Sequence, residues 1–286
     1  MRIEKLLKTI EDVFPKDTAM EGDRIGLQIQ SGRKEINNLL VTLEIDEQVI
    51  DEAVKRKTDC IITFHPLIYS PLTSIQENDR VGKLVTKIIS NSIALISIHT
   101  NFDAFSQGTS SILAKKLNLK ITGFLVPNKL YKNTGMGIIA QTKKPMTENE
   151  LLKIVQSTCS SPIRFSHGNK MSGIEKIAIV GGSGSSFIDF ALENDADAFI
   201  TADITYHTFH KANGKLMLID PGHHEMEKFV PEGLVKLLKE NLSQKDYTKI
   251  VQSDIITNPV FYYPDTEKYS VLQRQNLINN KKYMVN

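Results

Sequence analysis

The sequence predicts an α/β protein with a largely parallel sheet, and two observations carry that expectation. Short apolar runs of strand length alternate with segments of ten or more residues whose apolar positions recur at helical spacing, which is the signature of successive βαβ units. Six of the seven histidines (His65, His99, His207, His210, His223 and His224) lie at or shortly after an apolar run, and only His167 lies elsewhere. Ligands of open α/β sheets bind beyond the carboxyl ends of the strands, so this distribution predicts a site assembled from several strand ends.

In chain order, Ile3, Leu6, Leu7, Ile10, Val13 and Phe14 share a helical face, and Pro15 ends that helix. After the polar turn Glu21-Gly-Asp-Arg, Ile25–Ile29 reads as a short strand and Leu39–Ile45 as a buried one. Asp46 caps a helix bearing Val49, Ile50, Ala53 and Val54. A strand at 60–64, a helix at 80–91, a strand at 93–98 and a helix at 109–118 continue the alternation. Between Phe124 and Thr134 the pattern breaks at Pro127 and Asn133, which places a domain crossing there. Beyond it come a strand at Met136–Gln141 and a helix that a capping box, Thr147 with Glu150, opens and that runs to Cys159. Arg164–Ser166 and Ile177–Val180 are strands, and a helix with Phe187, Ile188, Ala191 and Leu192 on one face follows Gly181–Ser186. Ala198–Ala202 leads to His207 and His210, and Leu216–Asp220 runs through Pro221-Gly222 into a helix over 223–240. Lys249–Gln252 and Val260–Tyr263 read as the last strands. The expected domains are 1–123 with 215–264, then 124–214, with a polar tail at 265–286.

Composition limits what such a site could serve. With 286 residues, 41% hydrophobic and 24% charged, the chain has room for one large or two medium domains. A net charge of +2 gives no nucleic-acid signal, and the short clusters Lys55-Arg56-Lys57, Lys115-Lys116 and Lys281-Lys282 read as solvated helix ends. Cys60 and Cys159 form no CxxC, which argues against a zinc–thiolate site or a disulfide framework and for a reduced, cytoplasmic protein. The first residues carry scattered charges rather than a signal-peptide core, and no run has the length of a membrane span.

His223 and Glu227 are four residues apart, a spacing that sets an imidazole and a carboxylate on one face of a helical turn and suits them to share a cation. Gly181-Gly-Ser-Gly-Ser-Ser, between a strand and a helix, has two readings. It is either a tight turn needing positive φ or a phosphate contact through Gly181, Gly182 and Gly184. Its spacing fits neither GxGxxG nor a P-loop.

Thr63-Phe-His-Pro-Leu-Ile-Tyr-Ser-Pro-Leu, His99-Thr-Asn-Phe-Asp-Ala, Gly181-Gly-Ser-Gly, Thr201-Ala-Asp-Ile-Thr-Tyr-His and Asp220-Pro-Gly-His-His-Glu-Met-Glu occur in this order. Together they resemble the GTP cyclohydrolase I type 2 family, also called NGG-one-interacting-factor-three-like. The resemblance implies two interleaved α/β domains with a metal site in the cleft between them, assembled as a homohexamer. Carried over position by position, the family's metal ligands fall on His65, Asp103, His223 and Glu227. Phe64 stands where the family usually has a further His, and Gly22-Asp23-Arg24 replaces its Trp-Asp-Asn.

Two imidazoles and two carboxylates suit Zn, Mn, Fe, Co or Ni. Because Phe64 offers no lone pair, one tightly bound ion per chain is expected, with a second held weakly unless His99 or His224 substitutes. Such a site would activate a water for hydrolysis of a nucleotide or phosphorylated heterocycle, with His99 and His207 as candidates for proton transfer. His210 and His224 rank below them. The alternatives are a metal-binding scaffold or regulator without catalysis and, further off, a nucleic-acid-binding ring.

Overall fold

Strands that are apolar on both faces must be covered on both, and residues 39–41, 60–62 and 94–96 are runs of that kind. The computed structural model describes residues 1–242 and 249–262. Its strands are β1 (Gly26–Ile29), β2 (Asn38–Thr42), β3 (Cys60–Thr63), β4 (Ala94–Ser97), β5 (Lys120–Pro127), β6 (Gly135–Met146), β7 (Arg164–Ser166), β8 (Ile174–Ile179), β9 (Ala198–Ile200), β10 (Met217–Asp220) and β11 (Lys249–Gln252). The helices are α1 (Ile3–Val13), α2 (Glu47–Lys55), α3 (Arg80–Ser90), α4 (Thr100–Asp103), α5 (Thr109–Lys116), α6 (Glu148–Cys159), α7 (Ile188–Glu193), α8 (Tyr206–Ala212), α9 (His223–Glu227) and α10 (Val230–Asn241). No helix among the described residues is long and apolar enough to cross a membrane.

The chain packs as two units, each drawn from three separate stretches. The first comprises Met1–Leu113, Gly123–Ile138 and, among the described residues, the part of 228–254 outside 243–248. Its five-stranded sheet has the order β1-β4-β3-β2-β11, parallel except for β1, which pairs antiparallel with β4 at one edge. Every residue of β3 and β4 is buried. On one face Leu39, Val41, Cys60, Ile62, Phe64 and Ile96 share a core with Leu6 and Ile10 of α1 and Leu234 and Leu238 of α10. Leu40, Ile61 and Leu95, which point the other way, are equally buried, on the side where α2 and α3 bring Val49, Ile50, Leu84 and Ile88. Asp46 caps α2 as its sequence promises, its carboxylate accepting from Val49 N at 2.8 Å.

The second unit comprises Ala114–Thr122, Ile139–Glu227 and, among the described residues, 255–262. The six-stranded sheet has the order β5-β6-β8-β9-β10-β7, and its strands β8, β9, β10 and β7 lie in this unit, the first three parallel and β7 antiparallel to β10. The capping box forms as expected, Glu150 N donating to Thr147 Oγ1 at 3.2 Å and Thr147 N to the Glu150 carboxylate at 2.8 Å.

The structure departs from the sequence expectations in five places. Residues 120–127 are a strand, hidden in the sequence because only Leu125 of its eight residues is buried. Strand β6 runs on to Met146, well past Gln141. The helix expected over 223–240 is two helices. Pro231 has no N–H, and its ring would strike the carbonyl of Glu227, so the chain breaks at Lys228-Phe229 and restarts with Pro231 in the first turn of α10. The domain bounds differ, since 114–122, 215–227 and 255–262, expected in the first domain, belong to the second unit, and 124–138, expected in the second, belongs to the first; β10 goes with the second unit because it pairs with β9 and β7. Residues 260–262 form no strand, and Tyr263 and the expected tail at 265–286 lie outside the described residues.

Phe64 is fully buried, its ring lying 6.2 Å from that of Phe102, which in turn meets Phe14 edge-on at 5.4 Å. Phe64→Ala should destabilise the protein by about 3–5 kcal/mol. Urea unfolding would show this as a lower midpoint at unchanged slope. A shift under about 1 kcal/mol would mean that the site collapses around the lost ring.

Candidate functional site

In the first unit, strand register places two histidines together. Thr63 at the end of β3 is paired with Ser97 at the end of β4, so His65 and His99, each two residues further on, emerge side by side with ring centroids 5.6 Å apart. The Phe64-His65 turn is pinned by His65 N donating to Leu43 O at 2.9 Å, Thr63 Oγ1 to His65 O at 3.0 Å and Ser97 Oγ to Phe64 O at 3.2 Å. Each imidazole has a carboxylate on Nδ1. Glu44 lies 3.1 Å from His65, and both oxygens of Asp23 lie within 3.0 Å of His99. This fixes the rings and turns each Nε2 to the opposite side. Burial alone would raise the pKa of Asp23, but hydrogen bonds from His99 and Thr100 outweigh it and hold the carboxyl well below the usual range. Asp103 ends α4, the short helix that His99 opens.

Three parallel strand ends build the corresponding part of the second unit. Ile179, Ile200 and Ile219 are aligned across β8, β9 and β10, and beyond them follow Gly182, Asp203 and His223. His223 Nδ1 is 2.6 Å from Asp203, and its Nε2 is 3.0 Å from Glu227 one turn along α9. Asp203 holds φ at +56°, a left-handed conformation that Asp tolerates better than most residues. Glu227 is buried. Burial opposes charge on His223, yet Glu227 and Asp203 outweigh it and lift its pKa from 6.5 to about 9, so this spot favours positive charge. Gly182, at φ +62°, lies so close that a Cβ there would collide with Glu227 Oε1 and crowd the His223 ring. A cradle of imidazole and carboxylate donors with no room for a side chain on its wall suits a small cation.

The sequence profile of the Duf34/NIF3 (NGG1p interacting factor 3) family matches residues 1–259. The chain belongs to the NIF3 family. A Lactococcus lactis relative named GTP cyclohydrolase 1 type 2 homolog is 33% identical over 268 residues, covering 91% of this chain and 99% of the relative. A crystal structure of a Bacillus cereus protein related to NIF3 superposes with a TM-score of 0.84 at 25% identity, over 92% of this chain and 99% of that one. A Staphylococcus aureus structure gives 0.83 at 28% identity, with the same coverage.

Among the residues singled out from sequence, this NIF3 fold brings His65 beside His99 and His223 beside Glu227, each pair within its own unit. His207 and His210 lie on the exposed side of α8, where both rings meet the edge or face of Tyr206, at 5.4 and 4.6 Å. Gly184 does not keep a backbone donor for phosphate. Its N–H donates to Thr201 Oγ1 at 2.8 Å, and Thr201 Oγ1 in turn donates to Gly182 O at 2.9 Å. Gly184 thus closes the loop onto Thr201, and Gly182 at positive φ lies against the His223–Glu227 pair. Sequence reading passed over Glu44 and Asp203, the carboxylates that orient the two candidate ligand histidines. Nothing in their spacing marks them, since each reaches its imidazole across twenty residues or more.

Asp23 is the titrating group here with a clear consequence for stability. Its folded pKa lies below the unfolded value near 3.9, so its contribution is fully present above about pH 4 and is lost as pH falls toward the folded value. Asp23→Asn should lower stability at neutral pH and flatten the decline between about pH 4 and pH 2. Urea midpoints across that range test this; equal steepness in both proteins would show that Asp23 does not drive the acid response.

Proposed function

We propose that this chain holds a divalent metal ion through His65, Asp103, His223 and Glu227 and serves a hydrolytic reaction on a nucleotide or related phosphorylated heterocycle. His65, His223 and Glu227 are a candidate metal-binding triad by donor type. The observation that carries the reading is His223 clamped between Asp203 on Nδ1 and Glu227 on Nε2. Metal-ligating imidazoles usually have their far nitrogen held by a carboxylate, which fixes the ring's orientation. His65 with Glu44 repeats it.

The donor set suits Zn, Mn, Fe, Co or Ni, and such an ion would supply a Lewis acid. Phe64, buried against the His65 and His99 rings at 5.0 and 5.3 Å, fills with carbon the place of a further nitrogen ligand, which supports one tight ion per chain. His99 is the residue of this chain suited to move a proton, at Nε2, because Asp23 holds its ring in place through Nδ1. The substrate class draws on the names of relatives such as the Lactococcus lactis GTP cyclohydrolase 1 type 2 homolog. Homohexameric assembly and a cytoplasmic location belong to the same reading. Phe64 also favours a second one, a metal-stabilised scaffold or regulator without catalysis.

His223→Ala and Glu227→Ala should each remove most of the bound metal, measured by elemental analysis of protein purified without chelator, while far-UV circular dichroism stays that of the parent. Full metal content in either variant would refute the ligand assignment. A nucleotide panel then separates the two functional readings. Metal-dependent turnover that drops by about an order of magnitude without the phosphate supports hydrolysis, since a hydrogen bond to a charged group contributes about 1.5–3 kcal/mol. Absence of turnover with metal fully loaded supports the scaffold.

A further inference from the structure

Helix α9, which carries His223 and Glu227, has five residues and is far too short to be stable on its own. His223 and Glu227 use one side of it. Glu225, two residues from each and so about 200° around the helix, faces away from them and is buried at 7% exposure. A buried carboxylate needs partners, and these come from the segment after β11. Asn258 Nδ2 donates to Glu225 Oε1 at 2.8 Å, and the Tyr262 hydroxyl donates to the same carboxylate. Asn258 is itself 9% exposed, and its Oδ1 accepts from Val260 N at 3.0 Å, a local turn that presets the amide. Gly222 leaves room for this arrangement, since a Cβ there would collide with Glu225 Oε2 and crowd the Tyr262 hydroxyl. Nearby, Asp220 is held by Arg164 and accepts from Ile204 N at 3.1 Å, so the turn entering α9 is braced as well. All of these residues belong to the second unit.

We propose that Asn258 and Tyr262 are positioning residues for the metal site, latching α9 from behind through Glu225 so that His223 and Glu227 hold their common geometry. The inference rests on the metal reading above. It assigns a role to residues 255–262, which have no regular secondary structure and carry none of the motifs noted in the sequence.

The test uses the full chain and cobalt(II) alone as probe. Three measurements are made on Asn258→Ala, Tyr262→Phe and their double variant: the visible absorption titration, the melting temperature without metal, and amide hydrogen exchange at 223–227. The double variant should bind cobalt about tenfold more weakly, the lower end of what outer-shell substitutions cost. Exchange should speed up about tenfold at 223–227 and stay unchanged in β9 and α10. Glu225→Gln keeps an oxygen that both partners can reach and should stay near the parent, whereas Glu225→Ala should follow the double variant. Cobalt affinity within twofold of the parent, with or without faster exchange, would overturn the positioning role. If the parent takes up no cobalt, with His223→Ala as control, the metal reading fails. The exchange rates then decide the latch alone, and unchanged rates would overturn it too.

Discussion

The alignment of Ile179, Ile200 and Ile219 across three parallel strands is the constraint on which the histidine–carboxylate site depends. Once those rungs are fixed by backbone hydrogen bonds, the residues just past the strand ends have little choice of place. Gly182 comes up against α9, Asp203 comes up beside the His223 ring, and the Pro221-Gly222 turn delivers His223 and Glu227 on one helical face. The same logic holds in the other sheet, where the Thr63–Ser97 rung makes neighbours of His65 and His99. A one-residue slip in either register would turn the strand side chains to the opposite face and expose the apolar core, so burial of the isoleucines and the geometry of the imidazoles are secured by one interaction.

Electrostatics then gives these imidazoles their character. Glu44, Asp23 and Asp203 each sit on an Nδ1 and orient the ring. For His223 the second carboxylate, Glu227, adds to the first, and together they overcome a burial that by itself would favour the neutral ring. The depressed Asp23 shows the reciprocal effect on the acid side. Of the two carboxylates flanking His223 only Glu227 is buried, and the imidazole beside it gives that carboxylate the partner that burial demands.

Much of the architecture was legible in the sequence. Asp46, Thr147 with Glu150, and the apolar runs at 39–45, 60–64 and 93–98 declare their elements through local chemistry, and the first of these strands ends at Thr42 while the other two keep their bounds to within a residue. What stayed hidden depends on distant partners. Strand β5 carries Ile121, Phe124, Leu125 and Val126, but Gly123 and Pro127 break up the run, and it is a strand because of its neighbour in the sheet. The split between α9 and α10 was readable, since Pro231 is in plain view, but the apolar periodicity on either side of it outweighed the proline. At the site, the four-residue spacing of His223 and Glu227 does bring the two side chains to 3.0 Å. The orienting carboxylates could not be found that way, because each depends on which strands lie side by side.

Gly182 has a consequence at the level of the gene. Any change in the first or second base of a glycine codon introduces a side chain or a stop, and at φ +62°, with Glu227 and His223 in the way of a Cβ, no side chain fits without moving the donors. This codon therefore has only synonymous neutral neighbours. Drifting copies of the gene would lose the donor pair there in a single step while both sheets, built from other residues, continued to fold.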